Sequence, residues 1–199
     1  MLANMDQAPS WSAYDRDPAR FVSQYETLSF DQIHGHWLHH LPVGRRALDV
    51  GAGSGRDAAA LAERGFEVLA VEPAEGMRAR AHRLHPDPRI RWIGDHLPEL
   101  TEVGDQTFDV VLLAGVWMHL PPPVADRAFA RLAPLVAEDG VMVISVRGGG
   151  VDAARGMRPI PATEVADLAR ANGRREVEVI EAADLLGRDE IRWRTHVIR

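Results

Sequence analysis

"ALDVGAGSGRDAAALAERGFEVLAVE", residues 47–72, decides the fold. An apolar run ends at Val50, and Gly51, Gly53 and Gly55 then alternate with small residues. An alanine-rich stretch follows, and a second apolar run closes on an acid, Glu72. Strand, glycine turn, helix and strand is the order that makes such a glycine motif credible, because its backbone can then approach a ligand at a helix N-terminus.

The rest of the chain alternates in the same way. Short runs rich in Val, Ile and Leu predict strands at 46–50, 67–71, 89–93, 108–113 and 140–146, with helices at 55–65, 73–85, 121–137 and 161–172. Near-continuous apolar strands such as "FDVVLLA" imply burial on both faces, as in a parallel sheet flanked by helices. The ending "REVEVIEAADLLGRDEIRWRTHVIR" gives two alternating strands, 175–180 and 191–198, whose connecting loop suits an antiparallel pair. Upstream, residues 1–15 read as a loose arm carrying Trp11 and Tyr14. Helix is expected over 16–28, where Phe21, Tyr25 and Leu28 recur at helical spacing. Ser29 with Gln32 spells a capping box, opening a helix with Phe30, Ile33, Trp37 and Leu41 on one seam. The fold class is therefore α/β: a doubly wound, mostly parallel seven-stranded sheet with helices on both faces, preceded by an N-terminal helical cap. A single domain is expected over 1–199, with the cap at 1–44 and the core at 45–199.

Composition narrows the function. The chain has 199 residues, 46% of them hydrophobic, enough to bury a sizeable core. Its formal charge of −6 argues against a broad grip on nucleic acid. Without cysteine, thiolate metal sites and thiol nucleophiles are impossible. No signal peptide is evident at the N-terminus, and no run approaches the roughly 18 apolar residues of a spanning helix. A cytoplasmic protein, monomeric or homodimeric and with no membrane or nucleic-acid partner, is the expectation.

Asp49 stands two residues before the first glycine. A pyrophosphate on this turn would be repelled by it, whereas a ligand with an ammonium and a sulfonium would be attracted. The spacing is GxGxG, not the GxGxxG of dinucleotide folds, and Glu72 sits where a doubly wound fold places an acid for ribose hydroxyls. "LDVGAGSG" followed by "VLAVE" resembles motif I and the acidic second-strand end of class I S-adenosylmethionine-dependent methyltransferases. "IRWIGDHLPEL", "FDVVLLAGVWMHL" and "RLAPLVAEDGVMVIS" resemble the later strands of that family, and the closing pair its seventh-strand reversal. The resemblance implies that S-adenosylmethionine is the donor and S-adenosylhomocysteine the product. It implies that Asp49 with Gly51, Ala52 and Gly53 holds the methionyl end, and Glu72, beside Pro73, the ribose. Asp95, followed by His96 and Leu97, would meet the adenine, with Met77 on its face and Ala114 beside the sulfonium. An NAD(P)-dependent oxidoreductase and a non-catalytic S-adenosylmethionine-binding protein are the alternatives.

The acceptor side has its own candidates. His119 follows the fourth strand and is the candidate base, with Trp117 beside it. Arg147, followed by "GGG" and then by Arg155 and Arg158, offers guanidinium forks to an anionic acceptor. Trp11, Tyr14 and Tyr25 are expected near the pocket, under the cap. In "HGHWLHH", His36 and His40 share a helix face, but neither cysteine nor an HExxH pattern accompanies them. They read as a solvated face, and no metal site is assigned. A small-molecule methyltransferase with an anionic acceptor is the resulting expectation.

Overall fold

A computed structural model describes residues 9–199 of the chain; residues 1–8, the start of the expected arm, lie outside the described residues. Seven strands form one sheet: β1 (Arg46–Val50), β2 (Glu67–Val71), β3 (Ile90–Ile93), β4 (Phe108–Ala114), β5 (Val136–Gly148), β6 (Glu176–Ala183) and β7 (Arg192–Ile198). Their order is β3-β2-β1-β4-β5-β7-β6, and β7 alone runs antiparallel to its neighbours. Between them lie the helices α4 (Arg56–Glu63), α5 (Glu75–Leu84), α6 (Pro122–Leu132) and α7 (Glu164–Ala171). The expected doubly wound sheet is the one observed.

Both faces of the central strands are buried, for the reason the apolar runs suggest. Successive residues of a strand point to opposite faces. Ala47, Val110, Leu112 and Val143 meet Ala58, Leu61 and Ala62 of α4 on one side. Leu48, Val111, Leu113 and Ile144 meet Phe129 and Leu132 of α6 and Val165 of α7 on the other. Each large side chain so buried contributes about 1.5–3 kcal/mol. The chain winds in opposite directions from β1 and β4, so a crevice opens beyond their carboxyl ends.

Three short helices precede the sheet: α1 (Ser12–Asp15), α2 (Pro18–Tyr25) and α3 (Phe30–His34). Residues 12–15 are thus helical rather than part of a loose arm. Asp17 caps α2 by accepting from Arg20 N–H, and the Ser29–Gln32 capping box of α3 is present. Tyr14, Phe21 and Tyr25 pack with Met77 of α5, and Asp15 accepts from Gly76 N–H at 2.8 Å.

Two boundaries differ from expectation. The helix expected to Leu41 stops at His34, and a 3-10 turn at Leu38–His40 follows; Trp37 still reaches the core because Phe30 and His34 pack beside it. The helix expected to residue 137 stops at Leu132, since Pro134 in the next 3-10 turn has no N–H to continue the ladder. β5 consequently begins at Val136. No helix among the described residues is long and apolar enough to cross a membrane.

Candidate functional site

A cavity of about 340 Å³ occupies the crevice at the carboxyl ends of β1, β2 and β4. Its floor is the glycine turn. Gly51 has φ +73°, and a Cβ there would strike the Val116 side chain, so both conformation and space demand glycine. Gly53 has φ +57°, and a Cβ would meet only the Tyr25 ring at 3.6 Å, leaving the backbone open to a ligand.

Glu72 reaches across from the end of β2. Its carboxylate accepts from Gly53 N–H and from Ala74 N–H, each at 2.8 Å, which ties the two strand ends together. Burial raises its pKa to about 7 despite these donors. Pro73, Met77, His96, Leu97 and Ala114 line the same end of the cavity. Asp95 lines it as well, but its oxygens accept from His96 N–H at 2.8 Å and Glu102 N–H at 2.7 Å, so it also holds its own loop. His96 stacks on Trp11, centroids 4.9 Å apart, which closes this end with an aromatic pair.

Asp49, near the end of β1, is fully buried, with Oδ2 lacking any partner, and is not among the side chains lining the cavity. Asp57, in the first turn of α4, does line the cavity. Asp57 accepts from His34 Nε2 at 3.0 Å and from Arg56 Nε at 2.7 Å. The indole of Trp37 donates to His34 Nδ1, which leaves Nε2 to donate to Asp57. Burial pushes the Asp57 pKa up, but His34 and Arg56 outweigh it and hold the group well below the usual range. Burial and the neighbouring Asp57 charge push Asp49 well above that range. The pKa values of the two acids are thus driven in opposite directions, that of Asp57 down and that of Asp49 up.

The donor that the resemblance implies fits these residues. An unpartnered buried carboxyl oxygen, an anion at the helix N-terminus and a fixed acid at the second strand end suit an ammonium, a sulfonium and a ribose respectively. Asp57, Arg56 and His34 were missed as site residues in the sequence. The adjacent Arg-Asp pair was visible there, but nothing local pairs it with a histidine from another helix.

Beyond the donor end, His119, Arg147 and Arg155 line the cavity, together with Tyr14 and Tyr25, which also pack on Met77 and, for Tyr25, over Gly53. His119 closes the 3-10 turn Trp117–His119 after β4. Its Nδ1 is 2.9 Å from Arg155 O, an acceptor only, so Nδ1 carries the proton and Nε2 accepts from the Tyr14 hydroxyl at 3.0 Å. Burial lowers the His119 pKa and raises that of Tyr14, so both remain neutral. Tyr25 and Arg155 adjoin the Tyr14 hydroxyl.

Arg155 is paired with Asp152 at 2.8 Å and Arg188, also on the cavity wall, with Asp184 at 2.6 Å. Among the described residues Arg147 has no carboxylate partner. Its Nε is buried without a partner, and Nη1 contacts only the Met157 sulfur at 3.2 Å. Two expected residues are not brought in. Trp117 is wholly buried in the core, packed edge-on to Phe129 and donating to Glu164 at 2.9 Å. Arg158 brackets the loop instead, pairing with Glu164 at 2.6 Å. Arg188 was missed because it enters from the loop before β7, distant in sequence from the other two.

The histidine cluster is also rearranged. His36 bonds Thr195 at 3.0 Å, while His40 bonds Glu178 at 2.6 Å; the two do not share a ligand position.

A family profile described as a methyltransferase domain matches residues 47–140. Glycine N-methyltransferase of Oryctolagus cuniculus is 28% identical over 162 residues, which is 73% of this chain and 53% of that protein. The chain spans about half the length of the curated relatives it matches. Among solved structures, Burkholderia thailandensis 1,6-didemethyltoxoflavin-N1-methyltransferase, bound to its substrate and S-adenosylhomocysteine, superposes with TM-score 0.71 at 25% identity. That match covers 100% of this chain and 92% of the other. The N-methyltransferase NodS of Bradyrhizobium japonicum, with S-adenosylhomocysteine, gives TM-score 0.76 at 17% identity, covering 96% and 98%. None of these relatives is a nicotinamide-dependent enzyme.

Proposed function

We propose that this chain is a class I S-adenosylmethionine-dependent methyltransferase that methylates a nitrogen of a small-molecule acceptor bearing an anionic group. S-Adenosylmethionine, when bound, supplies an electrophilic methyl group on a positively charged sulfur. For that donor, Glu72 takes the ribose hydroxyls, Asp95 and Met77 the adenine, and the turn at Gly51–Gly53 the methionyl end, with Asp57 supplying negative charge and Asp49 the buried carboxyl near it. Residues 1–44 act as a cap on the core of 45–199, in one domain.

The observation that carries the acceptor reading is the Tyr14–His119 hydrogen bond at the cavity wall. An ammonium acceptor must lose a proton before its nitrogen lone pair can attack the methyl group. Tyr14 accepts that proton as it passes its own to His119 Nε2, and His119 holds the resulting charge with Nδ1–H fixed on Arg155 O. Tyr14 stays a phenol before and after, as its burial requires. Arg147, with its unpartnered Nε, takes the anionic group. The nitrogen is supported by the relatives, whose names describe methylation of glycine, of a toxoflavin precursor at N1 and, for NodS, of nitrogen.

The test is a metabolite screen with methyl-labelled S-adenosylmethionine, read by mass spectrometry. Labelled products should be N-methylated and carry a carboxylate or phosphate. Products labelled on oxygen or sulfur would overturn the nitrogen assignment, and neutral products the anion handle.

A further inference from the structure

The turn at Leu38–His40 places two adjacent imidazoles against the outermost strand of the sheet. Their rings lie 4.1 Å apart with a tilt of 39°, so both Nε2 atoms point the same way. They converge on one carboxylate: His39 Nε2 lies 3.2 Å and His40 Nε2 2.6 Å from Glu178 Oε2. The donor atoms of all three side chains fall within 4.8 Å of one another. Ligands of one ion with bonds of ~2.1 Å lie about 3.0–3.4 Å apart, so small rotations of these side chains suffice to coordinate.

A second feature aims the carboxylate. The pairing of β6 with β7 slips between Glu176 and Glu178, an irregularity of the kind that redirects a side chain at a sheet edge. Glu176 on the near side of the slip binds His196 at 2.6 Å, and Glu178 beyond it faces the two histidines. The histidines themselves are held: the backbone of His40 accepts from Arg199 at 3.4 Å, and its side chain is 19% exposed.

We propose that His39, His40 and Glu178 form a binding site for a divalent zinc ion. Two imidazoles and one carboxylate suit zinc; magnesium and calcium prefer all-oxygen shells. Each imidazole coordinates through the Nε2 lone pair by carrying its proton on Nδ1. Three protein ligands leave a position for water, so the site is open to solvent. The ion would join the segment after α3 to β6, across 138 residues of sequence between His40 and Glu178. Gln32, Ile33 and His34 of α3 and His36 just after it line the cavity, so the ion fastens one wall of the cavity to the sheet.

Calorimetric titration of the full chain, without an affinity tag and after dialysis against EDTA, tests this with zinc chloride and magnesium chloride. One zinc per chain and no magnesium binding are expected, with a rise in Tm on adding zinc. His39→Ala should fold normally, since its side chain is 61% exposed, and circular dichroism checks this. His39→Ala and Glu178→Gln should each weaken zinc by at least about tenfold, the loss seen for even an outer partner of a metal ligand. His82→Ala, an exposed histidine on α5, should leave affinity unchanged. Absence of zinc binding, wild-type affinity in the His39→Ala/Glu178→Gln double variant, or weakening by His82→Ala would each overturn the assignment.

Discussion

The two ends of the cavity are assembled in opposite ways. The floor and the donor end come largely from one continuous stretch, Asp49 to Met77, in which two parallel strands end side by side and the intervening turn is set by glycine conformation. The acceptor end takes His119 from the turn after β4, Arg147 from the end of β5 and Arg155 from the segment after it, with Tyr14 and Tyr25 of the cap reaching both ends. The first is fixed by strand register and backbone hydrogen bonds such as Gly53 N–H to Glu72. The second exists only where the cap packs on the core. A rigid local frame holds what all members of a family share, whereas contacts between distant segments can change independently of it.

The sharpest break of this comparison is expected at His119. If the acceptor end alone handles the proton, His119→Ala should lower kcat by about 10²–10⁴-fold and leave donor affinity unchanged. Tyr14→Phe should do nearly the same, because the hydroxyl is the link between cavity and imidazole. The acid limb of the pH–rate profile should lie below the ordinary histidine value, since burial lowers the His119 pKa. Stopped-flow rates with calorimetry of the donor check all three. A matching loss of donor affinity would mean that the two ends are not separate.

That contrast also explains what could be read from the sequence. Strand order at the centre, the glycine turn and Glu72 were legible because their cause is local: an apolar run, a turn that only glycine can make, an acid at a strand end. Asp49 was legible as a strand residue, but its buried neighbour Asp57 was not legible as a site residue, since it is held by His34 from another helix, itself bonded by Trp37. Trp117 read as a site wall because a strand end faces the crevice. The 3-10 turn there rotates it into the core and turns Met118 and His119 outward to the cavity instead. No periodicity encodes that rotation. Arg147 was found, and Arg158 was not separable from it, because an arginine in a loop looks alike whether a glutamate from the next helix takes it or not.

A smaller effect sharpens the comparison at Arg147. Its buried, unpartnered Nε makes it the free cation of the acceptor end among the described residues. Arg147→Gln should raise KM for the acceptor about 10–100-fold, the equivalent of one charge-assisted hydrogen bond, and leave donor Kd within error. Steady-state kinetics with either substrate varied separates these outcomes. A change in donor Kd alone would move Arg147 to the other end of the cavity.

The smallest effect belongs to the donor end and is electrostatic. Burial and the Asp57 charge raise the pKa of Asp49, and burial raises that of Glu72 from 4.5 to about 7. A carboxyl raised on folding gives stability that is present at low pH and lost as pH climbs through its folded pKa. The free protein should therefore lose stability between about pH 4.5 and 7 on account of Glu72. A cation arriving beside Asp49 favours its ionised form, so donor binding should expel a proton wherever Asp49 is still protonated. Affinity for S-adenosylmethionine should then rise with pH, by at most about one power of ten per pH unit, and level off above the pKa of free Asp49. Calorimetry in two buffers of different ionisation enthalpy measures the proton directly: release should be seen at pH values where Asp49 is still protonated and vanish above them. Asp49→Asn should abolish that release and flatten the pH dependence, because the amide cannot ionise. His119→Ala should leave both untouched, as its imidazole lies at the other end. Proton uptake on donor binding, or release that persists in Asp49→Asn, would show that the buried acid near the end of β1 does not feel the donor's charge.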